Sequence, residues 1–334
     1  MEDTCTDDIY YPGYNKNIGK SDYKNFFVEG NDFFPCKDVV NELPNGYYSI
    51  RRDYTRGVFL RKKTVNLDKL VKLETYSLYN DILNDIDTFW KSKEEYTKRG
   101  RVYKRNILLY SPPGMGKTSL INLLVDDLIR NRNGFVISLT EAEDIFNYND
   151  AMQFVRSIMP NKPIITIIED IDNFIGDGAD KKLESELLNM LDGINKHQNI
   201  LTIATTNYPE NLTERYLKRP SRFNRKYSFI YPNEENRREF IIKTNLKSDL
   251  DSININEWVK KTEGWTIDYI KELCDSVFIN GYSEEQSFNE INDMIQKKTL
   301  QNDKPSNVKS KIGFGVHKRP ENGMDIVNNE HPKL

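Results

Sequence analysis

Ser111-Pro-Pro-Gly-Met-Gly-Lys-Thr-Ser119 sets two glycines, a lysine and two hydroxyl residues in one short run. An apolar stretch that reads as a strand, residues 106–110, comes directly before it, and a helical pattern, residues 120–128, directly after. Strand, glycine loop and helix in that order make an anion site, here running through Pro113, Gly114, Met115, Gly116, Lys117, Thr118 and Ser119. Gly114 and Gly116 let the backbone curl so that successive N–H groups point at phosphates, and the following helix adds the positive end of its dipole. Lys117 is then expected to reach the β and γ phosphates of ATP, and the Thr118 hydroxyl to bind Mg2+. The usual first glycine of this pattern is Ser111 here. If that position needs a positive φ, serine brings a strain of ~1 kcal/mol. An ordinary Pro-Gly turn with an exposed lysine is the blander reading, and the strand before and helix after argue against it.

Residues 163–172, Pro-Ile-Ile-Thr-Ile-Ile-Glu169-Asp170-Ile-Asp172, read as a buried strand that ends in carboxylates. In an open α/β sheet such an end lies where ligands bind. One carboxylate there holds Mg2+, usually through water, and its neighbour polarises an attacking water.

Three further segments complete a pattern: Glu186-Leu-Leu-Asn-Met-Leu-Asp192-Gly193, Ile203-Ala-Thr-Thr-Asn207-Tyr-Pro, and Arg219-Pro-Ser-Arg222-Phe-Asn-Arg225. Together with the glycine loop they resemble the central signature of the AAA-family ATPases of the AAA+ superfamily, over about residues 100–290. The Glu-Asp order at 169 and 170, with a single ATPase module, most resembles the Bcs1-like branch and its phage and viral relatives. The resemblance implies that Asn207 orients the lytic water together with the acidic pair; a turn-capping Asn, which Tyr208-Pro209 would suit, is the alternative. The family's usual order is Asp for Mg2+ and Glu for water, so the resemblance implies Glu169 beside Thr118 at the metal and Asp170 as the base. Sliding the register by one would leave Ile171 in the base position. Arg222 and Arg225 are implied to reach across a subunit boundary to the neighbour's γ-phosphate, the alternative being two solvated surface arginines. A guanidinium so placed stabilises transition-state charge, commonly ~10³-fold or more. A homo-oligomeric ring follows from it, usually a hexamer in this family.

The resemblance leaves two segments open. Thr262-Glu-Gly-Trp-Thr-Ile-Asp-Tyr-Ile matches the start of a lid helix that packs near the adenine, with Thr266-Ile267-Asp268 where the family has Ser-Gly-Ala. Nucleotide contact and simple lid packing weigh equally there. Phe146 and Tyr148 lie in the stretch where the family carries a pore-loop aromatic, and burial in the core is an equal reading.

The elements that must position these residues show in the apolar rhythm. Apolar runs at 106–110, 135–139, 163–168, 200–204 and 227–230 leave room for helices between most of them. That is the rhythm of a doubly wound α/β fold with a parallel five-stranded sheet. Residues 75–98, with Leu78, Ile82, Ile86, Trp90 and Tyr96, predict one long amphipathic helix. We expect an N-terminal β-containing domain over 1–65, the P-loop ATPase subdomain of an AAA+ module over 66–235, a helical lid over 236–300 and a disordered tail over 301–334.

Composition narrows the function. Lys plus Arg 48 against Asp plus Glu 51 gives a net charge of −3, without the polycation character of a nonspecific nucleic-acid binder. Local basic clusters exist at Arg51-Arg52, at 61–63 and at 98–101, and residues 297–319 carry seven Lys or Arg against one Asp. Such runs are most often solvated faces. The acidic N-terminus lacks a signal-peptide layout, and no apolar run approaches the ~18 residues of a membrane span, so a cytoplasmic protein is expected, in a host's cytoplasm if the chain is viral. Cys5, Cys36 and Cys274, with His197, His317 and His331, have no metal-ligand spacing and read as reduced thiols. No His-Glu-x-x-His motif follows the lid. Three classes remain: a ring that remodels, unfolds or translocates a protein substrate, a nucleic-acid machine, and an ATP-gated scaffold that turns over slowly because the acidic pair is inverted.

Overall fold

The structure, a computed structural model, describes residues 25–29, 32–36, 39–54, 57–64, 71–175, 180–192 and 197–302. In chain order the strands are β1 (Asn25–Glu29), β2 (Asp32–Cys36), β3 (Gly46–Asp53), β4 (Gly57–Lys63), β5 (Lys104–Tyr110), β6 (Phe135–Leu139), β7 (Ile164–Ile168), β8 (Ile200–Thr206) and β9 (Arg225–Ser228). The α-helices among the described residues are α1 (Ser77–Lys91), α2 (Lys93–Lys98), α3 (Lys117–Asn131), α4 (Ala142–Ile158), α5 (Lys181–Asp192), α6 (Glu214–Leu217), α7 (Glu234–Thr244), α8 (Lys247–Leu250), α9 (Ile255–Lys261), α10 (Ile267–Cys274) and α11 (Glu284–Asn302).

β3 to β9 form one seven-stranded sheet in the order β4-β3-β6-β7-β8-β5-β9, parallel throughout except for the antiparallel β3–β4 hairpin. β7, Ile-Ile-Thr-Ile-Ile, is buried at every position, as a strand covered on both faces must be. From β5 the chain crosses over two intervening positions to β6, then steps back through β7 and β8 to lie again beside β5. The carboxyl ends of β5, β7 and β8 therefore converge at a reversal of strand order, where such sheets open a crevice.

The five strands expected from the apolar rhythm are present, and two more extend the sheet. β3 pairs in parallel with β6, from Gly46↔Phe135 to Ser49↔Ser138, and turns back through β4. Tyr48 and Ile50 of β3 are buried in the same core as β6 and β7. Residues read as strands of an N-terminal region thus belong to the main sheet. β1 and β2 form a two-stranded sheet of their own.

The helix expected over 75–98 is broken at Ser92, which leaves helical geometry at ψ 5° between α1 and α2. Its buried stripe is Tyr79, Ile82, Ile86 and Phe89 rather than Leu78 and Trp90. The last strand lies two residues earlier than expected, because Arg225 to Ser228 pair with Ile107 to Tyr110. By contacts the chain divides into two compact units, residues 1–283 and 284–334, with α11 in the second. Within the first, α7 packs on α9 and α10, Trp258 of α9 stacks on Phe278 at 5.4 Å, and the buried Arg237 guanidinium donates to the Pro232 and Val259 carbonyls.

Cys274 is a buried free thiol, pushed by burial up to about 11. The tail expected over 301–334 lies, from 303 on, outside the described residues, as do Cys5, Gly193, His317 and His331. Among the described residues no helix is long and apolar enough to cross a membrane.

Candidate functional site

β5 ends at Tyr110 and α3 begins at Lys117, so the glycine loop is the whole connection between them. Gly114 has φ +85° and Gly116 φ +88°. A Cβ on Gly114 would sit 2.8 Å from the Thr266 hydroxyl, and one on Gly116 only 2.5 Å from the Tyr79 hydroxyl. Conformation and space both demand glycine at these two positions. Tyr79 of α1 donates to the Gly116 carbonyl at 2.8 Å and so ties the loop to the helix before β5.

Ser111 carries no such strain. The positive-φ residues other than glycine, among those described, are Asn133, Asp170 and Asn199. The Ser111 side chain is instead buried, donating to the Pro112 carbonyl at 2.8 Å and accepting from Lys117 Nζ at 2.9 Å. Lys117, only 8% exposed, also donates to the Ser111 carbonyl (3.1 Å) and to Asn207 Oδ1 (2.7 Å). Burial lowers its pKa, against the pull of Asp170, Asp268 and Asp172.

The acidic strand end faces this loop. Asp170 has φ +49°, a left-handed bend that costs a non-glycine residue ~1 kcal/mol or more. Its N–H donates to Thr205 Oγ1 at 3.0 Å, and its carboxylate accepts from Asn207 Nδ2 at 3.1 Å. The bend separates the two acids: Glu169 meets the Thr118 hydroxyl at 3.4 Å, while Asp170 meets Asn207. Partial burial raises the Glu169 pKa, Thr118 opposes the rise and the Asp170 charge adds to it. Asn207 links the whole arrangement, accepting from Lys117 on its oxygen and donating to Asp170 from its nitrogen.

These groups enclose an open cleft of about 530 Å3, lined by residues 113–119 with Glu169, Asp170, Thr205, Asn207 and Asp268. The residues fit a nucleotide with its metal. The N-terminal amides of α3 lie open at the loop, and one carboxylate beside a threonine hydroxyl is the protein share that Mg2+ takes when phosphates supply the rest. Among the described residues no cluster of three or more His, Cys, Asp or Glu could hold a metal alone.

Thr205 and Tyr79, whose part in the site nothing local in the sequence marks, brace it through Asp170 and Gly116, and Asp268 lines the cleft. The two arginines part company. Arg222 is not offered outward: its side chain is 7% exposed, Nε and Nη2 bind the Asp192 carboxylate, and Nη1 donates to the Arg215 carbonyl at 2.7 Å. Burial pushes Asp192 upward, but hydrogen bonds from Arg222 and Ser221 outweigh it and leave the carboxyl below its usual range. Arg225 is exposed, with only a 3.7 Å approach to Asp85. Neither arginine lines the cleft.

Of the two readings left open for Phe146 and Tyr148, burial holds for Tyr148, and both lie on a helix. α4 starts at Ala142, three residues beyond β6, and carries both aromatics. Tyr148 is buried, its hydroxyl 2.9 Å from Thr166 Oγ1, because it falls on the core face of α4. Phe146 lies on the outer side under Lys182, whose ammonium is 5.5 Å from the ring centre.

Residues 107–231 match the family model described as "ATPase family associated with various cellular activities (AAA)". The chain is similar to cell division protein C of Sulfolobus acidocaldarius, 30% identical over 244 residues that cover 66% of this chain and 64% of that protein. It is similar also to the ATP-dependent zinc metalloprotease FtsH 2 of a Thermoanaerobacter species, at 29% over 62% of this chain and 42% of the relative. A proteasome-activating nucleotidase of Methanococcus maripaludis is 27% identical over 64% of this chain and 54% of its own length. The match thus spans less than two thirds of each of these relatives.

Proposed function

Because residues 107–231 carry an AAA ATPase domain, we propose that this chain hydrolyses ATP with Mg2+ as a homo-oligomeric ring, a hexamer by family habit, and spends the cycle on remodelling, unfolding or translocating a protein substrate. The observation that carries the reading is the hydrogen-bonded line from Lys117 through Asn207 to Asp170 at the mouth of the glycine cradle. It joins a phosphate-binding ammonium to a carboxylate through an amide that can orient a water between them. In this reading the loop amides and Lys117 hold the phosphates, and Thr118 and Glu169 hold Mg2+, which when bound neutralises charge on the phosphates. Asp170 takes the proton of the attacking water and Asn207 fixes that water's place. Arg225, exposed at the start of β9, is the arginine a neighbouring subunit could meet directly. Arg222 could do so only by leaving Asp192.

Protein as substrate is supported by two relatives, an ATP-dependent zinc metalloprotease and a proteasome-activating nucleotidase. A place near the Bcs1-like branch rests on the Glu169-Asp170 order and belongs to the same proposal, as do the boundaries at 235 and 300 and a cytoplasmic setting; the boundary at 65 gives way, because β3 and β4 belong to the main sheet. A second reading, a nucleotide-gated scaffold with slow turnover, is favoured by one observation: the base position holds the shorter acid, on a strained backbone.

The deciding experiment is the ATPase rate of the purified chain alone, with unfolded protein, and with single- or double-stranded DNA at matched salt. Stimulation by unfolded protein supports the remodeller. Stimulation by DNA overturns it in favour of a nucleic-acid machine, and tight ATP binding with negligible turnover in favour of the scaffold.

A further inference from the structure

Asp268 is the acidic residue of the cleft that neither the glycine loop nor the sheet supplies. It comes from the first turn of α10, and three contacts fix its place. Its N–H donates to the Gly114 carbonyl at 3.1 Å. Thr266 caps the helix, its hydroxyl accepting from the Tyr269 N–H at 3.5 Å and lying against Gly114. The Asp268 carboxylate oxygen Oδ2 lies 3.3 Å from where a Cβ of Gly114 would be. The side chain is exposed and, among the described residues, makes no ion pair.

An ionised carboxylate accepts hydrogen bonds and donates none. At the wall of a cradle built for anions it repels phosphates, so its presence there calls for donors on the ligand. A nucleoside triphosphate has donors on the ribose and on the base. With the phosphates on residues 114–119, the part of the ligand next to the loop is the sugar, and the base lies one ring further away. A vicinal diol offers two O–H donors to the two oxygens of one carboxylate, the pairing by which an acidic residue reads ribose in dinucleotide sites.

We propose that Asp268 accepts hydrogen bonds from the ribose hydroxyls of the bound nucleotide and makes the site select ribonucleotides over deoxyribonucleotides. The inference rests on the cleft being the nucleotide site.

Equilibrium binding of ATP, 2′-deoxyATP and 3′-deoxyATP to the full chain in Mg2+ tests it, with wild type, Asp268→Ala, Asp268→Asn and Lys117→Ala. The wild type is expected to prefer ATP over the deoxy forms by about tenfold or more, the scale of a hydrogen bond to a charged group. In Asp268→Ala the preference should fall to about twofold or less, while ATP still binds. Asp268→Asn, which keeps the shape and loses the charge, should fall between. Equal wild-type affinities for all three nucleotides, or a preference that survives both substitutions, overturn the inference. Nucleotide binding unchanged in Lys117→Ala, or absent in the wild type, sinks instead the assignment of the cleft. The wild-type comparison needs no variant, so poor folding of Asp268→Ala leaves the test intact.

Discussion

The Lys117 ammonium lies in a buried place where the Ser111 carbonyl, the Ser111 hydroxyl and Asn207 accept its hydrogen bonds. Truncating it removes the one cation of the cradle, so Lys117→Ala should abolish nucleotide binding, read as loss of fluorescent-ATP affinity by ~100-fold or more. Asp170 has a different job in the proposed reaction. Asp170→Asn should bind ATP as the wild type does while turnover drops ~10²- to 10⁴-fold; normal turnover would remove Asp170 as the base. Arg222 tests another kind of role. Its guanidinium is engaged by Asp192 and Arg215, and its carbonyl accepts from the buried Asn106 amide at 2.7 Å. Asp192→Asn leaves a buried cation without its anion and should cost roughly 2–4 kcal/mol of stability, measured by denaturant unfolding. A cost within 0.5 kcal/mol would mean that the pair contributes little to the single chain.

At the scale of elements, the segment leading into α1 is pinned to α7. Glu239 accepts from the backbone N–H groups of Glu74 and Thr75 at 2.8 and 2.9 Å, from the Thr75 hydroxyl, and pairs with Lys243 at 2.7 Å. Burial acts upward on Glu239, but Lys243 and the Thr75 and Glu74 donors outweigh it and hold the carboxyl down to about 2. A carboxyl lowered on folding adds stability that is present above its ordinary pKa near 4.5 and is lost as pH falls from there to about 2. Glu239→Gln should therefore unfold more easily at pH 7, by ~1 kcal/mol after allowance for solvent screening, with the gap closing as pH falls from 4.5 towards 2. A gap independent of pH would deny the charge any part in it. α1 acts on the site by the same logic of distant contact, since Tyr79 both braces the Gly116 carbonyl and occupies the space that bars any side chain there.

At the scale of the whole molecule the proposal is a shared catalytic site, and exposure separates the two arginines. Arg225 is open to a partner, whereas Arg222 is closed within its own chain. Arg225→Ala and Lys117→Ala chains should each be inactive alone and regain part of the turnover when mixed, because a joint between an intact cradle and an intact arginine then exists. Mixed assemblies verified by mass and still silent would count against an arginine given in trans.

The glycine cradle and the acidic strand end were legible from residue order alone, because each is a local event. A strand, a loop whose glycines take φ near +85° and +88°, and a helix follow one another in sequence, and the residue types that each needs are written in that order. The four central strands, β5 to β8, were legible for a like reason, since a strand buried on both faces is written as a continuous apolar run, whereas β9 is a mostly exposed edge strand and its bounds were not. What the tertiary structure decided are pairings between residues far apart in sequence. The β3–β4 hairpin joins the main sheet through β6, Asp192 turns Arg222 inward, Tyr148 faces the core, Ser111 serves Lys117 without strain, and Asp268 reaches the cradle from the lid. No local period encodes such contacts. They follow from which buried polar groups find partners once the apolar faces have packed, and that balance exists only in the assembled fold.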